Sequence, residues 1–257
     1  FGSTAILNDM TLLGVGSQGA VGTAGGSVTT LGRIGTGYIY ADWNGQIAYT
    51  TPNMNGFSAT VGVMQPWNVT QSGVLSATSA GNTDEFGFQG QASYSWTGDF
   101  AGKVWAGFFT QEVTGMTDGA ATPAALTSNQ SDTATAYEAG VSATVMNINL
   151  VAYGYSGDGV GTTGLLRDGY ATDGESRDSD GYYAQATYVI PMGTKLGVSY
   201  GESKLDLASG EAASALVKEN EMLTIGAYHP LTKHLNLVAE YSDVESKAHD
   251  GASETSD

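Results

Sequence analysis

The fold class predicted for this chain is all-β, a transmembrane antiparallel up-and-down β-barrel, and three observations predict it. Segment after segment separates into an apolar and a small-polar face with a period of two. The connections between these segments alternate short and long. The polar face is built from Gly, Ser, Thr, Gln and Asn, with few charges.

Ten strands are expected, at about 45–51, 56–65, 84–96, 101–112, 134–146, 148–156, 180–191, 194–206, 219–230 and 234–245. In EFGFQGQASYSW, Phe86, Phe88, Ala92, Tyr94 and Trp96 share one side, opposite Gly87, Gln89, Gln91, Ser93 and Ser95. In YEAGVSATV, Tyr137, Ala139, Val141, Ala143 and Val145 oppose Glu138, Gly140, Ser142 and Thr144. The pattern recurs in FSATVGV, GYYAQATYVI and KLGVSYG, and in LNLVAEYS, where Leu235, Leu237, Ala239 and Tyr241 oppose Asn236, Glu240 and Ser242. Most of these strands run to about 9 to 13 residues, beyond the roughly 5 to 6 typical of soluble strands and near what a tilted strand needs to cross a bilayer. Short turns fall at 51–56, 96–100, 145–149, 191–194 and 230–234, and long Gly- and Asp-rich loops at 66–83, 114–133, 157–179 and 207–218. Strict alternation puts every long loop at one end of the sheet.

A soluble sandwich would alternate as well, so periodicity alone leaves both readings open. The polar face favours the membrane barrel, because a soluble acidic protein would carry its charges there, whereas here most acids lie in loops such as DGYATDGESRDSDG. Small polar residues facing inward suit a wide, wet lumen. Aromatics point the same way. Tyr49, Tyr94, Trp96, Tyr137, Tyr188, Tyr200, Tyr228 and Tyr241 are read on the apolar faces, several near strand ends where interfacial girdles sit.

Composition narrows the functions further. Across 257 residues there are 26 acidic and 9 basic side chains, a net charge of -17, which leaves too few cations to neutralise nucleic-acid phosphates. There is no Cys, so disulfides and thiolate metal sites are excluded. No run approaches the roughly 18 apolar residues of a spanning helix. The first residues, FGSTAILND, hold neither a basic n-region nor an apolar core, so the chain is expected to start as a mature protein or part-way through one.

The stretch LGRIGTGYIYADWNGQIAYTTPNMNGFSATVGV (31–63) resembles the general porins of Gram-negative outer membranes. The opening ILNDMTLLGVG resembles that family's constriction loop, and GAYHPLTKHLNLVAEYSDVESKAH (226–249) its penultimate hairpin. The resemblance implies a sixteen-stranded homotrimeric barrel in the outer membrane, in contact with lipid and lipopolysaccharide, passing small hydrophilic solutes and ions without a cofactor. It also implies that residues 1–35 are the constriction loop and its exit, that 1–257 form one incomplete barrel domain, and that five strands precede and one follows. On that reading the chain ends in the loop AHDGASETSD.

A constriction needs acids facing a basic wall, which set up a transverse field that sorts solutes. By resemblance Asp9, with Asn8 beside it, is the acidic position of the loop, although Asp9 capping a local turn is the simpler alternative. Gly14, Gly16 and Gly19 would let the loop follow the wall. Arg33 matches an arginine after the loop and is expected in the lumen or in a salt bridge pinning the loop. A further basic position of the family is Ala41 or Asp42 here, a departure from its pattern. Lys103, Glu138, Lys195 and Glu240 fall on polar faces and are candidate lumen or rim residues. The acid excess points to a mild cation preference.

Other motifs carry little. GVGSQG (14–19) has the spacing of a dinucleotide fingerprint but no βαβ unit around it, and the acids of 173–181 lack calcium-loop spacing. Asn68 and Asn129 match glycosylation acceptors formally. No metal site and no catalytic residue is expected: His229, His234 and His249 lie at a short turn and in a tail loop, away from any serine and acid on a polar face. The alternatives to a channel are a barrel enzyme and an adhesive or ligand-binding barrel without an open pore.

Overall fold

The computed structural model describes residues 1–13, 32–40, 43–69, 85–114, 131–171 and 174–256. A short helix, α1 (Ser3–Asn8), precedes eleven strands: β1 (Gln46–Thr50), β2 (Phe57–Met64), β3 (Gly87–Trp96), β4 (Ala101–Thr114), β5 (Ser131–Val145), β6 (Ile148–Asp158), β7 (Asp178–Val189), β8 (Lys195–Leu205), β9 (Val217–Thr232), β10 (Leu235–Ala248) and β11 (Ser253–Ser256). They form one sheet in sequence order, each strand antiparallel to the next. All ten expected strands are present. The eleventh, Ser253–Ser256, lies in the stretch expected to be a loop, and it pairs with Val244–Lys247. SETS has no apolar alternation to announce a strand, and backbone pairing with the end of β10 supplies what the pattern lacks.

Residues that alternate in sequence take opposite faces of this sheet, and the faces are inverted relative to a soluble protein. Exposed on the outer face are Ile47, Phe57, Val61, Phe88, Val104, Val141, Ile148, Leu196, Ile225 and Leu237. Buried on the inner face are Gln111, Glu138, Gln185, Ser199, Asn220, Thr224 and Ser242. A soluble sheet would lose free energy on both faces, so the apolar side requires lipid. Among the described residues no helix is long and apolar enough to span a membrane.

One row of the ladder gives the inclination of the strands. Val61, Gly90, Phe108, Tyr137, Ser156, Asp180, Lys204, Glu219 and Lys247 are successive cross-strand partners, all on the outer face. The row begins apolar on β2 to β5 and ends charged on β8 to β10. An apolar band of constant height therefore crosses the ladder obliquely, as tilted strands in a bilayer require. The charged end is self-compensating: Lys247 Nζ meets Glu219 at 2.8 Å and Glu221 at 2.7 Å, and Lys204 pairs with Glu202.

Aromatic placement needs one correction. Tyr228 is buried on the inner face, where its hydroxyl donates to Glu240 Oε1 at 2.6 Å; the outer row of β9 is Leu223, Ile225, Ala227 and His229. Further aromatics lie inside: Trp105, Phe109, Tyr153, Tyr155 and Tyr183 are all buried on the inner face. Trp105 covers the bare backbone of Gly140 and stacks on Tyr153, with centroids 6.4 Å apart. The connections 51–56, 97–100, 146–147, 190–194 and 233–234 are short and share one end of the sheet. The link between β10 and β11, 249–252, is a short one at the long-loop end.

Candidate functional site

The opening segment lies inside, across the inner face of the sheet from β3 to β10. Its helix α1 lacks a side-chain cap, and a helix of six residues has little stability of its own. Contacts with the wall hold it. The Gly2 N–H donates to Glu138 Oε2 on β5 at 2.8 Å, and Thr4 Oγ1 donates to Gln91 Oε1 on β3 at 2.7 Å. Tyr183 on β7 donates its hydroxyl to the Ala5 carbonyl at 2.7 Å. Gln185 brackets the helix exit, donating to the Asn8 carbonyl at 3.0 Å and accepting from the Met10 N–H at 2.7 Å. On β10, Glu240 accepts the consecutive N–H groups of Leu12 and Leu13 at 2.8 and 2.9 Å. Two inner-face glutamates, Glu138 and Glu240, thus hold the two ends of residues 2–13.

Asp9 and Arg33 form the middle of this arrangement. Asp9 accepts from the Thr11 N–H at 3.0 Å through Oδ1, and through Oδ2 from the Arg33 N–H at 3.1 Å and the Tyr38 hydroxyl at 2.8 Å. Arg33 Nε stands 3.7 Å from Asp9 Oδ1, with the two side chains 0% and 2% exposed respectively. Its Nη1 donates to the carbonyls of Met222 at 3.1 Å and Thr36 at 3.4 Å, and its guanidinium lies 6.0 Å from the Tyr183 ring centre. Residues 32–40 are fixed in turn by Ser203, which accepts the Gly37 N–H at 2.9 Å, and by Asn220, which donates to the Gly35 carbonyl at 3.2 Å. This close approach needs the bare backbone of Gly201, where a Cβ would stand 2.5 Å from Thr36 O and 2.9 Å from Arg33 Nη1.

The sequence expectation sets Asp9 against a basic wall. In the structure its basic partner is Arg33, 24 residues further along the chain, and the pair is buried. Asn8 donates to the Thr4 carbonyl at 2.8 Å and is half-buried. The residues turned to open space are leucines: Leu7 is 84% exposed, and Leu12 and Leu13 about half. Lys103 and Lys195 lie on the inner face nearer the short turns, with Lys195 Nζ 4.4 Å from the Tyr228 ring centre. Sequence reasoning missed Gln91, Tyr183, Gln185, Tyr38 and Gly201; Gln91 stood on the recognised polar face of EFGFQGQASYSW, but nothing there named its partner. Gly14, Gly16, Gly19, the stretch 14–19, Ala41, Asp42 and Asn129 lie outside the described residues.

At the long-loop end, residues 159–171 also fold inward. Val160, Leu165 and Leu166 are buried, and the Tyr40 N–H donates to the Thr163 carbonyl at 2.9 Å. Arg177 latches this loop to the next, donating from Nη1 to the Asp168 carbonyl at 2.8 Å and through Nε and Nη2 to both oxygens of Glu211. That pairing holds the Glu211 carboxyl below its ordinary pKa. Among the described residues one carboxylate group, Glu202 with Glu219 and Glu221, has metal-compatible spacing; Lys204 and Lys247 already occupy those carboxylates.

A sheet with lipid-facing apolar residues, a polar interior and a loop strapped across that interior matches one known family along nearly the whole chain: Gram-negative porins, over residues 1–249. The chain belongs to the Gram-negative porin family. This porin accordingly resides in the outer membrane, where its strands form part of a transmembrane β-barrel. No curated protein matches its sequence. Among solved structures, the outer membrane channel DcaP of Acinetobacter baumannii shares its fold with a TM-score of 0.71 and 16% identity, over 95% of the porin chain and 68% of the channel. A Pseudomonas aeruginosa FadL homologue aligns over 92% of the porin chain and 66% of its own, at 14% identity and a TM-score of 0.36.

Proposed function

We propose that this porin is a passive diffusion channel for small hydrophilic solutes and ions across the outer membrane, with residues 1–13 and 32–40 narrowing the lumen. The observation that carries this reading is the opening segment, tied to the inner wall by the Thr4 hydroxyl at Gln91 and by its backbone at Glu138, Gln185 and Glu240. A channel must be wide enough to be wet and narrow enough to sort, and a strapped loop provides the second without filling the barrel. Asn8, Asp9 and Arg33 belong to this narrow region; Asp9 and Arg33 act by fixing the loop, while Leu7, Leu12 and Leu13 border the passage. Lys103, Glu138, Lys195 and Glu240 line the wall.

No turnover chemistry is invoked. The acidic loop mouth favours cations, within the roughly 8 to 10 Å over which charge is felt at ordinary salt. Assembly as a homotrimer, with lipid and lipopolysaccharide around the apolar band, completes the proposal. Proteoliposomes containing the full-length protein should swell in isosmotic solutions of small sugars and amino acids, more slowly as solute size rises. Swelling no faster than in protein-free vesicles would refute an open channel.

A further inference from the structure

The inner face is electrically unequal along the pore axis. Every carboxylate that the described strands turn inward at mid-height is already committed: Glu138 to Gly2, Gln91 and Tyr153, and Glu240 to Leu12, Leu13 and Tyr228. Asp9 is committed to Arg33, Tyr38 and Thr11. The other inward carboxylates of the described strands, Asp132 and Glu254, stand at the long-loop end, opposite inner-face partners Val113 and Ser246. Around that mouth lie further acids, Glu85, Glu175, Asp206 and Asp250.

Toward the short turns the charge changes sign. The inner face there is Thr50, Ser58, Ser93, Ser95, Ser142, Thr144 and Asn149, with Lys103 set between Ser95 and Ser142, and Lys195 beside Tyr228. Neither lysine has an ion-pair partner among the described residues. Lys195 rests on the Tyr228 ring, whose hydroxyl donates in turn to Glu240, so its contact with that carboxylate is indirect. The inward carboxylate nearest to them is Glu240, one inner-face step along β10 from the row of Lys195, and it is held by the Tyr228 hydroxyl and the Leu12 and Leu13 N–H groups.

We propose that the pore is bipolar: the long-loop mouth gathers cations, whereas Lys103 and Lys195 make the short-turn half of the wall attract small anions, against the overall charge of the chain. This rests on the open-channel reading above. A wall with opposite charge at its two ends accumulates mobile ions at one polarity of voltage and depletes them at the other, so the current is unequal for equal and opposite voltages. The favoured solutes on the short-turn side are small carboxylates and phosphates.

The test is single-channel recording of the full-length protein inserted from one side of a planar bilayer, at low salt and at both polarities. Wild type should show a current ratio of about two between polarities. The double variant Lys103→Gln/Lys195→Gln should lose that ratio and shift its reversal potential, under a potassium chloride gradient, toward cations. Lys103→Arg/Lys195→Arg, which keeps the charge, should retain both, and that separates charge from any effect on folding. Equal currents in wild type, or a ratio unmoved by the glutamine pair, would overturn bipolarity while leaving the channel standing. Absence of any conductance from inserted protein would overturn both.

Discussion

Arg33 brings a charge to a place without water, and its neighbours show what that charge is for. Its ion partner is Asp9, its Nη1 holds the carbonyls of Met222 and Thr36, and its backbone N–H also reaches Asp9. Removing one partner of a buried pair leaves the other uncompensated, at a cost of about 3 kcal/mol. Asp9→Asn should therefore loosen the inserted segment, visible as a lower melting temperature of the refolded barrel and noisier, larger single-channel currents. An unchanged melting point with only a selectivity shift would mean that Asp9 works as an open charge. The sequence offered a salt bridge from Arg33 that pins the loop as one of two readings, but not Asp9 as its partner, because 24 residues separate the two. Glu138 is similar. Alternation assigned it to the polar face, yet its partner Gly2 lies 136 residues away.

At the scale of elements, strands were legible because each repeats one chemical decision, apolar to lipid and small polar to the lumen, every second residue. Elements set by contact were not. STAILN forms α1 only because the inner wall satisfies its ends, and SETS forms β11 only because β10 offers an edge. Glycine on the wall is where sequence and contact meet. Gly201→Ala would drive a Cβ to 2.5 Å from Thr36 O, a backbone atom that cannot rotate away. The substitution should displace 32–40 while sparing the sheet, raising protease cleavage in that segment without altering strand content by circular dichroism. The latch between loops carries its own pH dependence. Glu211 is held below its ordinary pKa by Arg177, so the latch contributes fully above the ordinary glutamate range and is lost as pH falls through the lowered value. Hydrogen exchange of the 206–216 amides, corrected for intrinsic rate, should speed up in that acid range, and Glu211→Gln should show the fast rate at neutral pH.

For the whole molecule, the net charge of -17 describes the sum and conceals the arrangement. Acids gather at the long-loop end, where Asp180, Glu202, Glu219, Glu221, Asp243 and Glu245 sit above the apolar band and beyond lipid tails. The band itself crosses the ladder obliquely from Val61 to Lys247, so the tilt of the strands is written in which residues change from apolar to charged along one row. Such a wall, with a loop strapped across its polar side, has water on one face and lipid on the other. The central claim is that this water is continuous from end to end. Planar-bilayer recording of the full-length protein tests it most directly: the account predicts discrete conductance steps, in groups of three for a homotrimer, that rise with salt concentration. Correctly inserted, folded protein that conducts nothing would contradict it and would make the segment 1–13 a plug.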